Sequence, residues 1–173
     1  EAVEATVAAA DVTCVLQAEQ LGTGHAVLVT EAAVSGDTVV VLMGDAPLVS
    51  SALLSQLLEQ HHSSGAACTA VAARVPDPTG YGRMVTDAAG QLLDIVEHKD
   101  ASAAQRQIDL INSGIFAFQR QALFRCLHRV GNDNAQGEYY LPDVPKLLLS
   151  DGEGVGLLVT DDADAVLGVN TPE

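Results

Sequence analysis

A carboxylate that directly follows an aliphatic run is the first place in this chain where chemistry is expected. Asp45 stands in the sequence GDAP, just after Met43 and the aliphatic residues 39–42. Four consecutive aliphatic residues predict a strand of a parallel sheet that is buried on both faces. Ligands of open α/β sheets bind beyond the carboxyl ends of strands, so Asp45 is placed to handle a metal ion or a phosphate. The alternative is a turn that only ends the strand.

Three further segments are rich in residues that bind ligands. Residues 22–24 (GTG) lie between a predicted strand and a predicted helix, where free backbone N–H groups can meet a phosphate or a base carbonyl. Residues 76–83 (PDPTGYGR) contain two prolines and two glycines and cannot form regular structure. Residues 97–100 (EHKD) carry charge. Each segment has a simpler alternative. Residues 22–24 could only start a helix, residues 76–83 could be a surface loop, and residues 97–100 could be a solvent-exposed run of charges.

The histidines and cysteines form no catalytic constellation. We expect His61, His62 and His128 to lie exposed on helix surfaces and assign them no role. The cysteines are far apart, lack a C-x-x-C pair and are expected to be buried, free thiols: Cys14, Cys68 and Cys126. Free thiols indicate a reducing compartment, and no apolar run approaches the roughly 20 residues of a membrane span. The sequence therefore predicts a cytoplasmic protein.

The elements that must position these residues alternate between strand and helix. Predicted strands cover 12–16, 39–42, 66–73, 83–86, 91–96, 108–118 (interrupted at 112–114) and 155–160. Predicted helices run from the 22–24 loop to about residue 34, from Ser50 or Ser51 to 61–62, over 101–106, 120–130 and 142–149. This order predicts an α/β fold with a largely parallel sheet and one antiparallel hairpin.

Charge limits the possible partners. The 173 residues include 8 basic and 23 acidic side chains, giving a net charge of −15. This charge opposes binding to nucleic acids and anionic membranes. A nucleotide ligand would need a cation or a few local basic groups. The length fits one domain or part of one.

Seven segments, in order along the chain, resemble a known family. They are 15–26 (VLQAEQLGTGHA), 44–48 (GDAPL), 77–83 (DPTGYGR), 95–101 (IVEHKDA), 111–115 (INSGI), 134–141 (NAQGEYYL) and 168–170 (GVN). The family is that of the bacterial bifunctional N-acetylglucosamine-1-phosphate uridyltransferases and glucosamine-1-phosphate acetyltransferases. The resemblance implies a Rossmann-like nucleotide-diphospho-sugar transferase fold with a mostly parallel mixed sheet. It also implies transfer from UTP to N-acetylglucosamine-1-phosphate, giving UDP-N-acetylglucosamine and pyrophosphate for cell-wall precursor synthesis.

The resemblance assigns a role to each candidate site residue. For the nucleotide, the implied contacts are Gln17, Gly22 and Thr23 to uracil, and Met43, Gly44 and Asp45 to the ribose and phosphates. For Mg²⁺, the implied ligands are Asp45 and Asn170, whose hard oxygens suit this ion. For the sugar, the implied contacts are Gly82 through its backbone, and Glu97 and Asn112 to the hydroxyl and N-acetyl groups. The attacking phosphate is already anionic and needs no general base.

The chain departs from the family pattern at three positions and at both ends. Met43 stands where an aromatic residue is expected, Ala46 replaces a valine, and Pro142 replaces a threonine at a helix N1 position, which tolerates proline. The family's glycine-rich loop, with its Lys, would lie before Glu1, and the family's acetyltransferase domain would lie after Glu173; the sequence leaves open whether the parent protein has either. Such a C-terminal domain could make the parent a homo-oligomer. Residues 1–173 are therefore interpreted as a partial uridyltransferase domain that, alone, folds poorly and is inactive.

Two alternatives remain open at this stage. The first is a uridylyl-, thymidylyl- or guanylyltransferase that acts on another sugar-1-phosphate. The second is a non-catalytic module that binds a sugar nucleotide, although retention of both Asp45 and Asn170 argues against it, since a binding module has less need of a metal pair.

Overall fold

The computed structural model describes residue 7 and residues 12–168. Its helices are α1 (Thr23–Leu28), α2 (Ser51–Ser64), α3 (Arg120–Leu127) and α4 (Asp143–Ser150). Its strands are β1 (Thr38–Val41), β2 (Cys68–Arg74), β3 (Arg83–Thr86), β4 (Leu92–Val96), β5 (Leu110–Gln119) and β6 (Val155–Thr160). Short 3-10 turns occupy Glu31–Ala33, Gln105–Gln107 and Asp164–Val166.

The long strand β5 organises a six-stranded mixed sheet. One edge of β5 pairs with β2 along most of its length, and β2 pairs in parallel with β6. The other edge of β5 pairs with β1 near its carboxyl end and with the β3–β4 hairpin near its amino end. Strands β1, β2, β3 and β6 run in one direction, whereas β5 runs against them. The expected mixed α/β fold is thereby confirmed.

The two faces of β5 bury two separate cores because successive side chains of a strand point to opposite faces. Phe116 and Phe118 stack with ring centroids 5.4 Å apart in the core under α3 and α4. Ile115 packs on the opposite face in the core that contains Leu53 and Leu57 of α2. The sheet is therefore covered on both sides, and its strand ends remain available for a site.

Several local predictions are confirmed. Helix α2 begins after Ser50, whose hydroxyl accepts a hydrogen bond from the amide of Leu53 over 3.2 Å. The β3–β4 hairpin forms, and β6 has the predicted bounds. Cys68 and Cys126 are buried free thiols as predicted, but the prediction is wrong for Cys14, which is exposed in the segment that forms no strand. In the described part of the chain, every helix is too short or too polar to traverse a lipid bilayer.

Other local predictions are wrong. Residues 12–16 form no strand, and Leu16 is 85% exposed, because no described strand lies beside them to complete a ladder. Helix α1 ends at Leu28 rather than near residue 34; the Thr30 hydroxyl donates to the carbonyl of Val27 and competes with the helical pattern. Strand β1 is only half-buried, since β5 covers one edge of it.

One remaining correction concerns a histidine, whereas the predicted interruption of β5 is confirmed. The pairing of β5 with β2 shifts register there: Ala70–Ala72 lies opposite the longer stretch Asn112–Phe116, so β5 carries a bulge, and Gly114 within it has φ +76°. His61 is 2% exposed, and its Nδ1 lies 3.1 Å from the Thr69 hydroxyl. Burial, with a smaller contribution from His62, lowers the pKa of His61. His62 and His128 lie on the surface as expected.

Candidate active site

A cleft of about 360 Å³ lies beyond the carboxyl ends of β1 and β2. Its walls come from the turn after β1, the loop before β3, the middle of β5 and the segment 136–142. Most of the expected site residues line it: Thr23, Met43, Asp45, Gly82, Glu97 and Asn112. Residues scattered over ninety positions of sequence thus share one cavity, at the edge of the sheet where the sequence predicts a ligand.

Among the described residues, three expected site residues do not line this cavity: Gln17, Gly22 and Gly44. Gln17 lies beside it, with its side-chain nitrogen 3.2 Å from the carbonyl oxygen of Gly22. Gly44 occupies the exposed turn between two lining residues, Met43 and Asp45. Asn170 lies outside the residues that the structure describes.

One end of the cleft is built by close contacts among Gly82, Glu97 and Asn112. The amide of Asn112 donates to the carbonyl of Gly82 over 2.9 Å. A Cβ atom on Gly82 would lie 3.1 Å from Glu97 Oε1 and 3.4 Å from Asn112 Cβ, so only glycine fits without displacing a neighbour. Burial raises the pKa of Glu97, and the positive charge of Lys146 opposes this rise. The result is a compact polar wall.

The buried side chain of Arg83 holds the loop that precedes Gly82, although the sequence analysis assigned Arg83 no role. Its side chain is 1% exposed, and its guanidinium donates to the carbonyl of Tyr81, in the loop that forms the wall. Nη2 lies 3.3 Å from His98 Nδ1, which also accepts from the amide of Gly80 over 3.3 Å. Because its partners are scattered along the chain, no local pattern identifies this buried arginine.

The segment 134–141 lines the cleft and joins it to residues 22–24 at the start of α1, which are called the glycine loop below. Within the segment, Asn134 Oδ1 accepts from the amides of Gln136 and Glu138, each over 3.2 Å. The amide of Gly24 donates to the carbonyl of Tyr139 over 2.7 Å, and the amide of Tyr139 donates to Leu21 over 2.8 Å. These paired bonds hold the glycine loop against the segment.

Tyr140, which follows in the same segment, faces the cleft. Its hydroxyl oxygen is buried and has no hydrogen-bond partner in the described ranges. Burial raises the pKa of Tyr140.

At the other end, Asp45 lies beside Gly168. A Cβ atom on Gly168 would lie 3.0 Å from Asp45 Oδ2, so the lack of a side chain there leaves this face of the carboxylate open. The charged side chains that line the cleft within residues 12–168 are all acidic: Asp45, Glu97 and Glu138. No group of three or more His, Cys, Asp or Glu side chains with metal-binding geometry occurs in the same range.

Comparison with known proteins identifies the family of this chain. The sequence family described as "Nucleotidyl transferase" matches residues 2–164. The chain belongs to the nucleotidyl transferase family. This confirms the predicted enzyme class and the resemblance on which it rested.

Curated relatives are similar to nearly the whole chain. It is 50% identical over 156 residues to "Bifunctional protein GlmU" of Staphylococcus carnosus (strain TM300), covering 89% of this chain and 34% of that protein. It is 48% identical over 161 residues to the protein of the same name from Thermobifida fusca (strain YX), covering 90% and 33%. The chain therefore spans about a third of the length of these relatives.

A solved structure shares the fold of this nucleotidyl transferase chain. It is described as "The Crystal Structure of UDP-glucose pyrophosphorylase complexed with UDP-glucose". The match has a TM-score of 0.69 and 16% sequence identity, and covers 84% of this chain and 57% of that one. At this identity the likeness shows the fold alone.

Proposed function

We propose that this nucleotidyl transferase chain takes part in uridylyl transfer from UTP to N-acetylglucosamine-1-phosphate, giving UDP-N-acetylglucosamine and pyrophosphate. One observation carries the proposal: a single cleft joins the glycine loop, Asp45 and the Gly82–Glu97–Asn112 wall. The relatives named "Bifunctional protein GlmU" support it, because they share about half of the residues across the chain. The product would serve as a cell-wall precursor.

The glycine loop provides hydrogen-bond donors for a base. The amides of Gly22 and Thr23 have no acceptor within residues 12–168. They precede or open α1, where amides have no carbonyl partner from an earlier helical turn. Uracil carries two carbonyl oxygens that such donors can bind. In this proposal Gln17, next to the loop, completes the base site.

The polar wall provides complementary groups for an N-acetylated sugar. Asn112 Oδ1 accepts from the amide of Gly114 over 3.1 Å, which fixes the orientation of the Asn112 amide. Its side-chain NH₂ group is therefore available to donate to an N-acetyl carbonyl. The Glu97 carboxylate accepts hydrogen bonds from sugar hydroxyls. Gly82 lets the sugar approach the backbone because it has no Cβ atom.

Asp45 fits a divalent cation of the kind that binds phosphates. Mg²⁺ is commonly held by one or two carboxylates together with substrate phosphates. The open face of Asp45 beside Gly168 leaves room for such an ion. Asn170 follows Gly168 by two residues, and two residues span at most about 7 Å. We therefore propose Asp45 and Asn170 as its ligands.

The acidic lining makes this cation necessary in the proposal. When bound, Mg²⁺ would offset negative charge on the phosphates. The described residues contribute alignment: the glycine loop holds the base, and the polar wall holds the sugar phosphate at the other end of one cleft. Holding two reactants in line lowers the barrier without acid–base catalysis, since the attacking phosphate is already anionic.

The test is Asp45→Asn in the natural full-length protein. We expect loss of pyrophosphate release by at least about 100-fold, the size of effect seen when charge stabilisation is removed from an active site. Asp133→Asn is the matched control, because Asp133 is an exposed loop carboxylate outside the cleft. Full turnover by Asp45→Asn would refute the metal role. A preference for glucose-1-phosphate over N-acetylglucosamine-1-phosphate in the wild type would refute the sugar assignment.

The proposal extends to the setting of the chain. Residues 1–173 would be part of a uridyltransferase domain in a longer protein, which an additional acetyltransferase domain could make oligomeric. The buried thiols Cys68 and Cys126 suit a reducing compartment, so a cytoplasmic location is included.

A further inference from the structure

The side chain of Gln17 is held by two partners at once. Its Nε2 atom lies 3.2 Å from the carbonyl oxygen of Gly22 and 2.9 Å from Nδ1 of His25. Gly22 belongs to the glycine loop, and His25 lies in α1 just after it. The amide is thus fixed by the same loop that contributes Thr23 to the lining of the cleft.

These two contacts determine which hydrogen-bonding role Nδ1 of His25 plays. A backbone carbonyl can only accept, so the Gln17 atom that faces Gly22 is the NH₂ nitrogen. The same nitrogen faces His25 Nδ1, which must therefore be the accepting, unprotonated nitrogen of the ring. In this arrangement the ring proton of His25 lies on Nε2. Protonation of Nδ1 would bring two donors face to face.

These contacts leave only the oxygen of the Gln17 side-chain amide for a ligand. Both N–H bonds of Gln17 are committed, one to Gly22 and one to His25. Only the oxygen, Oε1, remains to meet a ligand, and it can only accept. Uracil and thymine carry a donor, N3–H, on the edge that such an acceptor binds. Cytosine has an unprotonated N3 at the same position, which would repel the oxygen.

We propose that His25 is a positioning residue that selects for a base with an N3–H group by holding Gln17 as an acceptor. The inference rests on the proposed function, because it takes Gln17 to face the base of the nucleotide. It adds a residue and a rule of selection: uridine over cytidine nucleotides, set by a ring that does not itself touch the base.

The position of the His25 ring is itself well defined. The ring packs against Tyr139, with centroids 6.5 Å apart and an angle of 39° between the planes. It lines a second cavity of about 250 Å³ together with His128, whose Nε2 pairs with Glu31 over 2.9 Å. The ring that contacts Gln17 is thus also packed against Tyr139.

The test compares two substitutions in the natural full-length protein. His25→Phe keeps a ring but removes one of the two acceptors, which leaves one N–H of Gln17 free to donate to an unprotonated N3. His25→Asn can place an oxygen at the position of Nδ1 and restore the acceptor. His128→Phe is the matched control, because His128 borders the same cavity as His25 but pairs with Glu31 rather than with Gln17. The readout is the ratio of kcat/KM for UTP to that for CTP.

We expect His25→Phe to lower this ratio about tenfold, as for loss of one hydrogen bond of ordinary strength. His25→Asn should recover most of the ratio, and His128→Phe should leave it unchanged. A merely structural role for His25 would lower the use of both nucleotides equally. An unchanged ratio in His25→Phe, with wild-type preference for UTP, overturns this inference alone. A wild type that uses no uridine nucleotide overturns the proposed function as well.

A spectroscopic measurement on the wild type requires no substitution. The ¹⁵N resonances of the His25 ring should show an unprotonated Nδ1 and a protonated Nε2 at neutral pH. A proton on Nδ1 would overturn the inference even if the variants failed to fold.

Discussion

Gly22 is the position where a single added methyl group should do the most damage to the glycine loop. Its backbone angles, φ 107° and ψ 177°, lie in a region that only glycine readily adopts. A Cβ atom there would lie 2.8 Å from both Glu138 Cβ and the carbonyl oxygen of Tyr139. Backbone atoms cannot rotate away as the end of a flexible side chain can. Gly22→Ala must therefore strain the loop or displace the 134–141 segment.

The two effects can be given magnitudes. Backbone strain of this kind amounts to about 1–3 kcal/mol. Forcing a methyl group into occupied space adds about 1–3 kcal/mol. Together they lower the free energy of unfolding by about 2–6 kcal/mol if the loop stays in place. In a domain of this size, 1 kcal/mol corresponds to about 2–4 °C, so the Tm should fall by at least about 4 °C.

Two other glycines separate the contributions. Gly90 has φ +79° but nothing within 4 Å of an added Cβ, so Gly90→Ala reports backbone strain alone. Gly131 has open space and no positive φ, so Gly131→Ala should be nearly neutral. Calorimetry of the natural full-length protein and its variants gives the Tm, and KM for UTP reports the loop. If Gly22→Ala and Gly131→Ala have the same Tm and the same KM for UTP, the close approach of the glycine loop to residues 134–141 is refuted.

Two further predictions concern Glu97 and the chain by itself. Because burial raises the pKa of Glu97 in the folded state, its ionised form lowers stability above that pKa, and this penalty disappears as the pH falls through it. Glu97→Gln should therefore raise the Tm at neutral pH but not in acid, and raise KM for the sugar phosphate. Glu59→Gln, on the exposed face of α2, should change neither the Tm nor the KM for the sugar phosphate. A rise in Tm of Glu97→Gln that is the same at neutral and acid pH would contradict burial of the Glu97 charge as its cause. Residues 1–173 expressed alone should show no cooperative thermal transition and no UTP turnover, because Leu16 is exposed and β1 has one described neighbour; a cooperative transition with turnover would contradict this.

Elements with local signals were predictable from the sequence, and those that depend on distant partners were not. The Ser50 cap and the leucine spacing identify α2, and the turn residues identify the β3–β4 hairpin. His61 follows Leu53 and Leu57 at intervals of four, so this spacing already placed it on the buried face of α2. Its burial was missed because histidine was taken as polar without regard to its position.

The central role of β5 could not be read from local patterns. A long apolar strand indicates burial, but which strands flank it, and in which direction, depends on contacts far apart in sequence. The same holds within the candidate site. Family resemblance identified Gln17, whereas the roles of His25 and Arg83 emerge only from the positions of their hydrogen-bond partners.

The hydrogen bonds between Leu21–Gly24 and Tyr139–Leu141 also bear on how the two substrates influence each other. The glycine loop serves the proposed base site, and Tyr140 and Leu141 line the cleft near the sugar wall. A ligand that orders one segment therefore orders the other, and the second ligand no longer has to supply that ordering free energy. The two affinities are then coupled, and each substrate strengthens binding of the other by the same factor.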